Sequence, residues 1–166
     1  MRVIRPQPLT AAAFAGFGDV IEAGGASELI NRGTSRQFTD LARIDVAAEG
    51  GSPRISIYRA SPFELPLTIA MLERHPLSSQ LFMPLHGERF LIVVAQAGPA
   101  VEVSAVRAFV TDGRQGVNYH RGTWHHPFIA LGTSSEFLVV DRVGEGRNYD
   151  EFFFPTGAPV LQPPES

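Results

Sequence analysis

What most restricts the fold of this chain is how often it is interrupted. Glycine occurs 16 times and proline 13 times in 166 residues, and the apolar runs between them are short. A helix needs roughly 10–12 residues to express its period, whereas a strand needs only about four to eight. Ile55-Ser-Ile57-Tyr-Arg59 alternates, Phe90–Ala95 is an unbroken apolar run, and Val101–Val103, Val106–Val110, Val117–His120, His125–Leu131 and Phe137–Val140 follow. Many short strands separated by Gly and Pro turns predict a β-sandwich or barrel. The best helical signal is brief and N-terminal, from a Thr10 cap to Gly16. One domain is expected at this length. Its barrel core spans about residues 50–145, with an N-terminal extension over 1–49 and a C-terminal tail over 146–166. In the tail, Phe152-Phe153-Phe154 docks and the following prolines fray.

Composition removes several chemistries. Cysteine is absent, so thiol catalysis, disulfides and thiolate metal sites are excluded. All 14 basic residues are Arg, so no lysine Schiff base can form. An acidic substrate must be held by an arginine fork, a histidine or backbone N–H. A net charge of -3 argues against nucleic-acid binding. No stretch approaches the ~18 apolar residues of a membrane span, and the first ten residues lack the apolar core of a secretion signal. A cytoplasmic protein with no membrane partner is expected.

Four of the five histidines lie near glycine or proline turns: His75, His86, His120 and His125. Alternation places Glu73 and His75 on one strand face with Leu67, Ile69 and Met71, and turns Arg74 the other way. A carboxylate and an imidazole on a core-facing side must be paired, bind a ligand or sit at a barrel mouth. His126 falls opposite His125 and reads as a surface or interface residue. His86 reads as an exposed turn residue.

The spacing Glu73-Arg74-His75, four residues, Gln80, six residues, Gly87 resembles the first cupin motif, with Glu73 where a His is usual and Gln80 where a Glu is usual. His120-Arg-Gly122-Thr-Trp-His125 resembles the second, with His120 at its usual proline. Longer strings sharpen this. Phe17-Gly-Asp-Val-Ile21, Leu72-Glu-Arg-His-Pro76, Phe82-Met-Pro84, Gly116-Val-Asn-Tyr-His120 and Thr123-Trp-His-His-Pro127 together are similar to the ureidoglycolate lyase family, over Leu9 to about Arg142. The resemblance implies an all-β cupin-type double-stranded β-barrel (a jelly roll), a homodimer, and cleavage of (S)-ureidoglycolate to glyoxylate and urea in allantoin degradation. It also implies nickel in some members. Glu73, His75, Gln80 and His125 would form such a metal site, for nickel, manganese or iron; the alternative is a metal-free polar pocket.

Ureidoglycolate is a hemiaminal bearing a carboxylate. Its cleavage needs a base on the hydroxyl and an acid on the departing nitrogen, and no nucleophile. Glu73 or His120 is the candidate base, and His75 or His125 the acid or polarising group. Gln80 and Asn118 are candidates to bind the ureido group. Arg59, which shares a strand face with Ile55 and Ile57, is the first candidate for the substrate carboxylate, ahead of Arg142 and Arg74. Two other readings stay open: an amidohydrolase on the same substrate, releasing ammonia and carbon dioxide, and a non-catalytic cupin binding a small acid.

Overall fold

The computed structural model describes residues 2–165. In chain order it forms β1 (Val3–Ile4), β2 (Gln7–Pro8), α1 (Ala11–Phe14), β3 (Gly18–Ile21), β4 (Glu28–Ile30) and β5 (Ser35–Gln37). Next come β6 (Ser52–Ala60), β7 (Leu67–Thr68), β8 (Met71–Arg74), β9 (Gln80–Pro84), β10 (Phe90–Ala95) and β11 (Arg107–Val110). The last strands are β12 (Gly116–Tyr119), β13 (Trp124–His125), β14 (Ile129–Ala130), β15 (Ser135–Val143), β16 (Asp150–Phe153) and β17 (Val160–Leu161). The helix starts where its cap implies, with Thr10 Oγ1 accepting from the Ala13 N–H at 3.2 Å.

Two sheets carry the fold. One runs β16-β8-β13-β10-β11-β2, with β14 also on β10; the other runs β3-β12-β9-β15-β6. No ladder among the described residues joins them, so the expected barrel is a pair of facing sheets around a shared interior. Phe82, Phe90, Ile92, Val94, Phe109, Val117, Tyr119, Phe137 and Val139 fill that interior, and α1 adds Phe14. A second cluster packs on the far side of the larger sheet. There Leu72, Leu91, Val93, Ala95, Trp124 and Ile129 meet Ile4, Ile69 and Leu161. Covered on both faces, β10 is buried at every position, which is why it reads as a continuous apolar run.

Three sequence readings change here. Leu67 and Ile69 do not share a face with Glu73. β7 and β8 are separate strands, and Leu67 and Ile69 join the outer cluster. His126 is buried rather than at the surface, with its ring 5.7 Å from Phe63. The tail does not fray after its aromatics: β17 pairs in parallel with β1 and antiparallel with β7. The N-terminal segment likewise supplies β3 to the smaller sheet, so its hydrogen-bonded framework reaches well outside residues 50–145.

The candidate active site

β8 turns Met71 and Glu73 inward, and His75 continues that face just past the strand. In the β8–β13 ladder Glu73 lies opposite His125. The turn carrying His125 requires Gly122 at φ +77°, a conformation that disfavours side chains. That turn is tied to the first motif by the Gly122 N–H donating to the His75 carbonyl at 3.0 Å. From the facing sheet come Gln80 of β9 and Tyr119 of β12, which are ladder partners. The Tyr119 ring stacks on His125 at 4.2 Å and 14°.

The protonation pattern follows from the partners. A carbonyl only accepts, so His75 Nδ1 donates to the Asn148 carbonyl (2.9 Å) and His125 Nδ1 donates to the Thr123 carbonyl (3.0 Å). An imidazole held this way carries its lone pair on Nε2 when neutral, and both Nε2 atoms face the site. His75 Nε2 lies 3.0 Å from Gln80 Oε1. His125 Nε2 is buried without a hydrogen-bond partner, 3.4 Å from Glu73 Oε1. Ligand atoms of Glu73, His75 and His125 all fall within 4.8 Å of one another. Glu73, His75 and His125 thus offer three converging ligand atoms, an arrangement that can hold a cation. The backbone carbonyls behind both histidines are the usual outer support of metal-binding imidazoles.

Electrostatics agree with this pattern. Burial pushes the Glu73 carboxyl up, but the contact with His125, the charges of His125 and His75, and the Tyr149 hydroxyl together hold it below its ordinary value. Burial, reinforced by His125, pushes His75 down despite the Asn148 carbonyl, Glu73 and Gln80. At neutral pH the cluster therefore holds a carboxylate and a neutral His75. Burial also raises the Tyr119 hydroxyl, with Glu73 adding to the effect.

Glu73, His75, Gln80 and His125 are brought together; the other five candidates are not. Tyr119 faces inward, so its neighbours Asn118 and His120 face out. Asn118 Nδ2 donates to Asp19 Oδ2 (3.0 Å) and to the Arg43 carbonyl (2.9 Å). His120 Nε2 pairs with Asp19 Oδ1 at 3.0 Å and lines an outer cavity of about 300 Å³ with Arg43, Asp45, Ser79 and Arg121. Arg59 also points outward, 76% exposed and paired with Glu136. Arg142 is buried as a strut, donating to the Ala48 and Glu145 carbonyls. Arg74 bonds Asp150 and lies 4.5 Å over the Trp124 ring, again on the outer side.

The alternation argument chose the wrong face of β6. Ile55 and Ile57 are 72% and 62% exposed, whereas Tyr58 packs on Phe82 and Phe128 inside. Three further residues surround the cluster: Tyr119, Tyr149 and Asn148. Tyr119 was within reach, because it sits next to a motif histidine with the parity of a core residue. Asn148 acts through its backbone and left no sequence signal.

A profile of the family described as "Ureidoglycolate lyase" matches residues 1–161. The chain belongs to the ureidoglycolate lyase family. Its relatives include a ureidoglycolate lyase of Burkholderia mallei (strain NCTC 10229), 55% identical over 93% of this chain and 91% of the relative. One from Pseudomonas fluorescens (strain SBW25) is 54% identical over 93% of each chain. One from Pseudomonas aeruginosa (strain LESB58) is 50% identical over 100% of this chain and 99% of the relative. Among solved structures, RmlC from Streptococcus suis in complex with dTDP-D-xylose aligns with a TM-score of 0.47 at 15% identity, over 89% of this chain and 74% of that one. In this family member the conjunction of Glu73, His75, Gln80 and His125 at one end of the interior is the candidate active site.

Proposed function

We propose that the chain is a lyase that splits (S)-ureidoglycolate into glyoxylate and urea, in the breakdown of allantoin. The observation that carries this reading is the convergence of Glu73, His75, Gln80 and His125 within a chain that belongs to the lyase family. The reaction is an elimination. The hydroxyl proton leaves, the C–O bond becomes the aldehyde, the C–N bond breaks and its electrons stay on nitrogen. That nitrogen then takes a proton and departs as urea. No thiol, amine or water is consumed, which suits a chain without Cys or Lys.

The cluster suits a divalent cation, with Glu73, His75, Gln80 and His125 as its holders and nickel, manganese or iron matching the N/O donor set. Such an ion lowers the pKa of a bound hydroxyl. Asn148 and Thr123 fix the imidazole tautomers, and the Tyr119 ring closes one side against water. Tyr149, whose hydroxyl donates to Glu151 at 2.9 Å and whose ring lies 6.1 Å from that of His75, supplies a phenol–carboxylate pair beside the site. A second reading rests on the 3.4 Å Glu73–His125 contact. Without an ion, His125 Nε2 takes the hydroxyl proton beside the ionised Glu73 and returns it to nitrogen.

The test is to supply racemic ureidoglycolate to purified protein and measure glyoxylate, urea and ammonia, with and without a chelator and with metal analysis. Urea and glyoxylate in equal amounts support the lyase. Ammonia in place of urea indicates an amidohydrolase, and binding without turnover a non-catalytic cupin. Full activity in metal-free protein selects the second reading.

A small polar metabolite as substrate makes the cytoplasm the working compartment. Among the described residues no helix is long and apolar enough to cross a membrane. We assign the homodimer contact to the outer face of the β9–β15–β6 region, where the ladders align Ile55 with Val140 and Leu81, and Ile57 with Leu138 and Met83. Apolar side chains in register on an uncovered sheet face mark an interaction surface. Ile57→Asp should convert the dimer to a monomer by light scattering, and a dimer that persists at micromolar concentration rejects this face.

A further inference from the structure

If the site works as proposed, it has a charge problem. Its substrate is an anion, yet the carboxylates of Glu73, Asp141 and Glu151 belong to the strands around it. Beside any ion held by Glu73, His75, Gln80 and His125, an arginine fork suits the substrate carboxylate, and neither Arg59 nor Arg142 faces the right way.

Arg54 does. In the β6–β15 ladder Arg54 lies opposite Asp141. Val140 lies opposite Leu81 in the β15–β9 ladder, which brings Asp141 next to Gln80. Gln80 in turn faces Tyr119 across β9–β12. One inward row therefore reads Arg54, Asp141, Gln80, Tyr119. The facing sheet contributes Glu151, Glu73 and His125 in a row of its own. Arg54 stands two strands from Gln80, or ~10 Å along the sheet, a gap that the substrate and an arginine side chain together can close. Tyr58, on the same face of β6 as Arg54, packs against Phe82 and Phe128 of the interior.

The guanidinium is also posed for a ligand. Its Nε and Nη2 are bonded side-on to the two Asp141 oxygens at 3.0 and 2.9 Å, while Nη1 has no hydrogen-bond partner among the described residues. Asp141 is 11% exposed and Arg54 51%. The carboxylate is thus a fixed anchor, and the free edge of the fork opens at the rim. A fork held on one edge presents the other in a set orientation, which favours planar recognition of a second carboxylate.

We infer, resting on the lyase reading, that Arg54 binds the carboxylate of the substrate and of glyoxylate, and that Asp141 is the positioning residue that aims it. The experiment is steady-state kinetics on ureidoglycolate, with glyoxylate inhibition, for wild type, Arg54→Gln, Arg54→Lys, Asp141→Asn and Arg59→Gln. Arg54→Gln should raise KM and the glyoxylate inhibition constant together by about 10- to 100-fold, with kcat changed less than about threefold. Arg54→Lys should recover part of the loss. Asp141→Asn keeps the cation and should raise KM by only a few-fold. A purely structural ion pair would make Asp141→Asn as damaging as Arg54→Gln, and would shift melting temperature rather than KM. Arg59→Gln should move KM by less than about twofold. Wild-type KM and glyoxylate inhibition in Arg54→Gln overturn the assignment, as does a large KM effect in Arg59→Gln instead. If wild type does not turn over ureidoglycolate, the lyase reading fails by itself. Calorimetric titration of glyoxylate into wild type and Arg54→Lys then decides the arginine separately, with equal affinities counting against it.

Discussion

Removing one oxygen from Tyr119 should make the protein more stable and less active. The Tyr119 side chain is fully buried, and its hydroxyl has no hydrogen-bond partner in the protein. A buried polar group without a partner costs about 1–3 kcal/mol. Phenylalanine keeps the ring that stacks on His125 at 4.2 Å and packs edge-on to Phe82 at 5.9 Å, so no cavity is made. Tyr119→Phe should therefore gain about 1–2 kcal/mol. For a chain of this size that is an increase in melting temperature of about 2–8 °C. The ring lies against His125 of the candidate site, so a ligand bound there that reaches the unpaired donor would be held by it. Loss of that hydrogen bond should lower kcat/KM by about tenfold. Calorimetric melting and steady-state kinetics on the same preparation measure both effects. A fall in melting temperature of more than ~2 °C would show that the hydroxyl is bonded in the resting protein and would refute the reasoning. Unchanged kcat/KM with raised stability would remove Tyr119 from ligand binding.

Other consequences are simpler to state. His75 and His126 both have pKa values lowered from 6.5, chiefly by burial. The unfolded chain then binds protons that the folded one refuses, so stability should fall as pH drops below about 6.5; urea midpoints at pH 5 to 8 test this, and a flat profile contradicts it. Arg142→Ala removes a buried guanidinium and its three hydrogen bonds to the Ala48 and Glu145 carbonyls and should cost about 1–3 kcal/mol with kinetics intact; a large kinetic defect in a well-folded variant would return Arg142 to the substrate site. Gly122→Ala forces φ +77° onto a residue with a Cβ, so it should cost about 1–2 kcal/mol and lower activity by displacing His125, as denaturant melts and rates would show.

Much of the site was legible because motif spacing survives folding. Glu73 and His75 are two apart on one strand, Gln80 opens the next, and His125 enters by a glycine turn, so local geometry already pointed them together. The errors came from one source. Alternation says that two residues share a face, but not which face is the inside. On β6 the inner face carries Tyr58 and, at its half-exposed rim, Arg54, and not Ile55 and Ile57. Likewise Asn118 and His120 were correctly adjacent to site residues, but one step out of phase, which on a strand means the far side of the sheet.

The sequence by itself determined the class of chain: short strands, little helix, no thiol, no amine, and a histidine–carboxylate cluster with motif spacing. These are properties of composition and of neighbours within a few residues. Tertiary structure alone decided which arginine faces the site, that the Asn148 and Thr123 carbonyls set the imidazole tautomers, and that the tail and N-terminus join the sheets. Each of these depends on contacts between segments far apart in the chain, such as His75 with Asn148 or Arg54 with Asp141. No local pattern encodes a partner more than seventy residues away; only the pairing of strands brings it within hydrogen-bond reach.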